Sequence, residues 1–127
     1  MTVPIVFISR NRIVEGRRTE FELAFAGAVG LIDKVRPDTA LFAAYLDESG
    51  TEVRVVHAFP DARAIALHFE GSSERTESAS ELITPAGFEI YGQAPASAID
   101  QLRREADSID ASFQMFANPL GGFLRAR

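Results

Sequence analysis

The sequence predicts an α+β domain in which two β-α-β units follow one another, and three observations lead there. A β-branched and aromatic run, Ile5–Ile13, gives way at Gly16 to apolar residues at helical spacing. Two more apolar runs, Thr39–Leu46 and Glu52–Phe59, flank the short turn Asp47-Glu48-Ser49-Gly50, as a hairpin requires. Pro60-Asp61 then stops the second of these runs and opens a helix, after which another strand-like run follows.

The first strand reads IVFISRNRI. Thr19 is placed to cap the first helix, in which Phe21, Ala24, Phe25, Ala28, Leu31, Ile32 and Val35 share one stripe. Arg36-Pro37 ends it, because the residue before proline avoids the α region. Gly27 and Gly30 sit inside this helix, where each costs up to about 1 kcal/mol relative to alanine. Either the helix approaches a sheet or ligand closely there, or the positions simply tolerate glycine. Asp61 is placed to cap a second helix that starts at Ala62-Arg63 and ends near Phe69. Gly71-Ser72-Ser73 interrupts it, and a polar helical piece is expected over Glu74–Ile83, up to Thr84-Pro85. A fourth strand is expected over Phe88–Gln93, then a helix over Ala96–Asp107 with Ile99, Leu102, Arg103 and Ala106 on one side. The tail SFQMFANPLGGFLRAR is too apolar to float free. Phe113, Met115, Leu120, Phe123 and Leu124 are expected to pack on the body or on a second subunit.

This order, β-α-β-β-α-β, is that of a ferredoxin-like fold: an antiparallel four-stranded sheet with two helices on one face, here followed by a C-terminal helix and tail. The 127 residues form a single domain, with its core over 4–93 and the C-terminal helix and tail over 95–127. Leu41, Ala43 and Tyr45 point to one side of their strand, and Phe42, Ala44 and Leu46 to the other. Ile5 and Phe7 likewise oppose Val6 and Ile8. Both faces are apolar, yet two helices cover only one. A second copy is the simplest cover, giving a symmetric homodimer with its sheets face to face. The competing cover is the C-terminal helix and tail, folded over the open face of a monomer.

Composition narrows the function classes. Hydrophobic residues make up 46% and charged residues 24%, which excludes disordered and fibrous classes. Apolar runs break well before the ~20 residues of a bilayer span, so no membrane partner is expected. MTVPIVFISR lacks the pattern of a secretory leader, and there is no cysteine to form a disulfide or a thiolate metal site, so a cytoplasmic location is expected. The net charge of -5 argues against a nucleic-acid partner; Arg17-Arg18 and Arg103-Arg104 are isolated pairs beside acidic residues.

Both histidines lie in VRVVHAFPDARAIALHF, Val53–Phe69. His57 is in phase with Val53, Val55 and Phe59, and the simplest reading is a buried, hydrogen-bonded sheet residue. His68 falls on or beside the apolar stripe of the second helix, either as a neutral core group or lining a cavity between helix and sheet. Asp61 and Glu70 could join the histidines on a metal only at a spacing that matches no tight metal motif, so no metal site is expected. No Gly-x-Ser-x-Gly elbow is present, and Gly121-Gly122 after Asn118-Pro119 is turn chemistry, not a phosphate loop. Asn11 is either a buried amide available to a ligand or a strand-end residue bonding nearby backbone. Tyr45 and Tyr91, on predicted strands, either hold a polar substrate group or pack.

The string VVHAFPDARAIALHF resembles the antibiotic biosynthesis monooxygenase-like family, in which a strand ending in an aromatic residue leads through a Pro/Asp turn into a helix with an alanine and a late histidine. Those positions are Phe59, Asp61, Ala64 and His68 here, and Ile5–Gln93 follows the family's element order. The resemblance implies a dimeric α+β barrel with a small cavity between sheet and helices in each protomer. It also implies oxidation of an aromatic compound by O₂ with no cofactor, the substrate phenolate being held by hydrogen bonds. A second branch of the family degrades haem, with a helical histidine as iron ligand, a first-strand asparagine and a tryptophan. His68 and Asn11 suit the first two roles, but this chain has no tryptophan.

The expected function is thus a cofactor-independent monooxygenase acting on a small aromatic substrate. His68 is its candidate catalytic base or hydrogen-bond donor, and Asn11, Tyr45, His57, Phe25 and Phe69 are its candidate substrate-binding residues. The alternative is a non-catalytic dimeric module that binds a small ligand in the same cavity. A third reading fills that cavity with Phe25, Phe69 and Phe88.

Overall fold

Strand β1 (Ile5–Ile13) is the middle of a five-stranded sheet in the computed structural model, which describes residues 3–70 and 81–125. Helix α1 (Arg18–Val35) follows, then β2 (Leu41–Leu46), β3 (Glu52–Phe59), α2 (Ala62–Phe69), β4 (Ile83–Tyr91), α3 (Ala96–Ser108) and β5 (Ser112–Phe116). The sheet order is β2-β3-β1-β4-β5. The first four strands are antiparallel, as a ferredoxin-like fold requires. The expected four-stranded sheet needs one correction: β5 adds a fifth strand, parallel to β4, because α3 carries the chain back to the end of the sheet where β4 began.

Local chemistry sets the connections. In the β2–β3 hairpin, one carboxylate oxygen of Asp47 accepts from the Thr51 and Glu52 amides, each at 3.2 Å, while Ser49 donates its hydroxyl to the same carboxylate at 3.0 Å. Gly50 closes that turn with φ +74, a conformation that favours glycine. The Asp61 side chain accepts from the Ala64 amide at 2.9 Å and so caps α2, as expected. Thr19 lies within α1 and is not its cap; the cap position is Arg17, whose side chain makes no capping bond to the helix amides. The polar helical piece expected over 74–83 falls largely outside the described residues, and its last residue, Ile83, already belongs to β4. That strand therefore starts before Thr84-Pro85, not at Phe88.

Strand alternation divides the sheet into two faces. Ile5, Phe7, Ser9, Asn11 and Ile13 point to the helices with Val53, Val55, His57 and Phe59 of β3. The main core lies there: Phe7, Phe59, Phe88 and Ile90 meet Ala64 and Ile65 of α2 and Leu102 and Ala106 of α3. Helix α3 therefore packs on the helical face and β5 extends the sheet, so the C-terminal segment does not fold over the opposite face as the competing reading held. On that opposite face Val6, Ile8 and Val56 are half-buried, while Leu41, Tyr45 and Phe116 are exposed. In the tail, Phe113 and Met115 pack on the core, whereas Leu120 and Phe123 stand exposed.

Helix α1 is docked by a narrower stripe than its sequence suggests. Phe21 and Ile32 are buried and Phe25 and Ala28 half-buried, but Leu31 and Val35 are exposed. Among the described residues, nothing lies within 4 Å of where a Cβ would sit at Gly27 or Gly30, so neither glycine serves a close approach there. No helix among the described residues is long and apolar enough to cross a membrane.

Candidate functional site

The narrow footing of α1 leaves a cavity of about 330 Å³ between the helical face of the sheet and helices α1 and α3. Phe7, Ser9 and Asn11 of β1, Phe42 of β2, and Val55 and His57 of β3 form its floor. Phe21, Phe25 and Ala28 line the α1 side, and Leu102, Glu105 and Ser108 the α3 side. His68 and Phe69, late in α2, reach the same space. Most of this lining is aromatic or aliphatic, with a few polar groups among the rings, the usual composition of a small-molecule site.

A β-bulge shapes the floor. The β1–β4 register shifts between Arg10, which faces Gly87, and Asn11, which faces Pro85. Proline has no amide to give a ladder, so a bulge is where a strand tolerates it. Asn11 lies beside this irregularity, buried at 5% exposure. Its Nδ2 donates to the Ser9 carbonyl at 3.3 Å and to the Ser9 hydroxyl oxygen at 3.1 Å. Because a carbonyl only accepts, this contact fixes which end of the amide faces Ser9. Both Nδ2 protons are thereby engaged, and Oδ1 is left as the acceptor.

The two histidines meet edge to face, with ring centroids 5.0 Å apart and planes at 76°. His57 stacks on Phe7 at 4.8 Å, and its Nδ1 lies 3.0 Å from the Phe7 carbonyl oxygen. His68 is enclosed by the rings of Phe42, Phe59 and Phe69, at 6.0, 5.2 and 5.9 Å, and its Nδ1 is 3.2 Å from the Thr39 hydroxyl. His68 is 3% exposed, yet it borders the cavity, so it is at once a core group and a lining group.

Asn11, His57, His68, Phe25 and Phe69 are thus brought together in one cavity. Tyr45 is not among them. It faces Arg54 across the β2–β3 ladder on the opposite face of the sheet and is 60% exposed. Tyr91 also lies on that face, where its hydroxyl donates to Glu89 at 2.5 Å and its ring stacks on Phe116 at 4.9 Å. Among the described residues, no three histidine or carboxylate side chains gather as a metal site would need.

Sequence reasoning missed Glu105. The buried residues of α3 are Ala98, Leu102 and Ala106, so the inward stripe is turned by about one position from the one expected through Ile99 and Arg103. Glu105, three residues after Leu102, falls on the rim of that stripe and faces the cavity. Burial pushes its carboxyl above the ordinary glutamate value; the Gln101 amide, donating at 3.4 Å, and the Arg104 charge pull weakly the other way. The signal was present as a carboxylate at i+3 and i+7 from two apolar helix positions.

No protein-family model matches the chain, and no curated protein matches it. Solved structures do. MupZ from Pseudomonas fluorescens aligns at TM-score 0.70 with 17% identity, over 96% of this chain and 91% of that one. A candidate antibiotic biosynthesis monooxygenase from Bacteriodes thetaiotaomicron aligns at 0.61 with 14% identity, over 98% and 97%. SnoaB, a cofactor-independent oxygenase from Streptomyces nogalater, aligns at 0.58 with 17% identity, over 70% of this chain and 91% of its own. The chain has the fold of the antibiotic biosynthesis monooxygenase-like proteins.

Proposed function

We propose that the chain is a cofactor-independent monooxygenase that oxidises a small aromatic phenol in the cavity between sheet and helices. The observation that carries this reading is the convergence of Asn11, His57 and His68 on one aromatic-lined cavity of about 330 Å³. His68 is the base. The Thr39 hydroxyl oxygen can accept a hydrogen bond from its Nδ1–H, and that tautomer puts the basic lone pair on Nε2. Proton removal gives a phenolate whose ring carbon is rich enough in electrons to react with O₂. One oxygen atom enters the ring as a carbonyl and the other leaves as water. The substrate supplies all four electrons, so 1-naphthol and O₂ give 1,4-naphthoquinone and water with nothing left over. Phe25 and Phe69 hold the ring, Asn11 Oδ1 and His57 Nε2 accept from hydroxyl protons the substrate carries, and the protonated His68 donates from Nε2 to the phenolate oxygen.

The working unit in this proposal is a homodimer in the cytoplasm. A second copy would cover Leu41, Tyr45 and Phe116, with Val6, Ile8 and Val56 at the centre of the contact. The test of the activity is O₂ uptake by the purified protein with 1-naphthol, with quinone formation followed by absorbance. One mole of O₂ consumed per mole of quinone supports the reading, and no uptake above the uncatalysed rate removes it. The second reading, a ligand-binding module without turnover, is favoured by the tight enclosure of His68 among three phenylalanine rings. It requires 1-naphthol to raise the unfolding temperature while O₂ is not consumed.

A further inference from the structure

We propose that Glu105 is a specificity-determining residue which, with Oδ1 of Asn11, selects ligands for the hydrogen-bond donors they carry and turns away ligands that carry a carboxylate. The inference rests on the cavity being the ligand site, as proposed above, but not on any reaction taking place there.

Asn11 is buried, and both protons of its amide nitrogen are held by Ser9. What it presents to a ligand is an oxygen that takes no bond among the described residues. A ligand hydroxyl or amine placed against this oxygen gains a hydrogen bond there. Glu105 presents a second oxygen pair from α3 on the other wall, where among the described residues it accepts the long Gln101 contact on its own helix. No lysine or arginine lines the cavity among the described residues. A carboxylate entering this space would therefore lose its water, meet no fixed cation among the described residues and lie near a second carboxylate. A hydroxyl-bearing aromatic compound meets the opposite situation, with apolar rings for its body and two acceptors for its protons. The discrimination is built by repulsion as much as by attraction.

Burial of the Glu105 carboxyl agrees with this assignment, because a partly desolvated acid gains most from a donor brought by the ligand. The residue belongs to α3, outside the β-α-β-β-α-β core, so the segment added after the core contributes selectivity to a cavity whose floor the core builds.

The test is equilibrium binding at pH 7.5 under argon, with 1-naphthol, 1-naphthoate and naphthalene as probes, on the full chain and on Glu105→Gln. The expected result is wild-type affinity for 1-naphthol about tenfold or more above that for either of the other two. In Glu105→Gln the 1-naphthol to 1-naphthoate ratio is expected to narrow to about two- or threefold, chiefly through tighter 1-naphthoate binding, because the amide can donate to a carboxylate. Naphthoate binding as tightly as naphthol in the wild type, naphthalene matching naphthol, an unchanged ratio in the variant, or no binding of any probe would each overturn the proposal. If Glu105→Gln does not fold, the wild-type ratios still decide. The absence of O₂ keeps this separate from the activity: selective binding without later O₂ uptake removes the oxygenase reading alone, and turnover without selectivity removes this one alone.

Discussion

The Nδ1 of His57 lies 3.0 Å from the carbonyl oxygen of Phe7 on the neighbouring strand, and this contact decides which imidazole nitrogen carries a proton. A carbonyl only accepts, so Nδ1 is the donor and the neutral ring holds its lone pair on Nε2. Replacing His57 by phenylalanine keeps a flat ring against Phe7 but leaves a buried carbonyl with one partner fewer. The expected loss is about 1–3 kcal/mol of stability, read from the midpoint of urea unfolding. An unchanged midpoint would show that the contact holds nothing in place.

His68→Gln keeps a polar group near the Thr39 hydroxyl and removes the base. On the proposed mechanism, O₂-dependent turnover of 1-naphthol falls by about 10²-fold or more, while binding of 1-naphthol changes only a few-fold. Turnover within threefold of the wild type would move the base to another residue.

Asp61 caps α2 with one 2.9 Å bond to the Ala64 amide. Asp61→Ala is expected to cost about 1 kcal/mol in chemical unfolding, and Asp61→Asn much less, since asparagine caps almost as well. Equal losses for the two would point to charge rather than capping.

Glu105 makes stability depend on pH in a definite direction. Its carboxyl is raised in the folded state, mainly by burial, so between the unfolded and folded values the folded chain binds more protons. Stability from this group is fully present below the ordinary glutamate value, about 4.3, and is lost as pH rises through the raised native value. Thermal unfolding of the wild type and Glu105→Gln between pH 4 and pH 7 is expected to show the variant gaining on the wild type as pH rises. A constant difference across that range would contradict the burial of this carboxyl.

Val56 faces Ile8 on one side and Ala43 on the other, on the sheet face that the helices leave open. If a second copy covers that face, the wild type sediments as a dimer at micromolar concentration and Val56→Glu sediments as a monomer with its fold intact. A monomeric wild type would overturn the face-to-face dimer.

What could be read from the sequence was what local chemistry dictates. The Asp47–Gly50 turn and the Asp61 cap each depend on residues a few positions apart, and both formed as expected. Strand β4 was placed too late because Thr84-Pro85 reads as a stop; only its pairing with Asn11 reveals a bulge that accommodates the proline. In SFQMF, Phe113 and Met115 alternate with Ser112 and Gln114, a strand signal that the apolar character of the tail concealed. For the site, alternation along β1 left Asn11 either inward or bonded to nearby backbone, and it is both, while Tyr45 needed the β2–β3 register. That register pairs Phe42 with His57 and Tyr45 with Arg54, which separates the two aromatic residues onto opposite faces. Glu105 needed the rotation of α3 about its axis, which packing against α2 and the sheet decides.

The parallel pairing of β5 with β4 has a consequence for synthesis. Domains are built from the N-terminus at roughly 5–20 residues per second, and β1 to β4 can pair before α3 has left the ribosome. Until Leu102, Glu105 and Ser108 emerge and β5 anchors their helix, the nascent chain has a floor of aromatic rings open on one side. The proposed ligand binding therefore requires α3 and β5 in place, and a chain cut short after β4 would leave those aromatic rings uncovered on the α3 side.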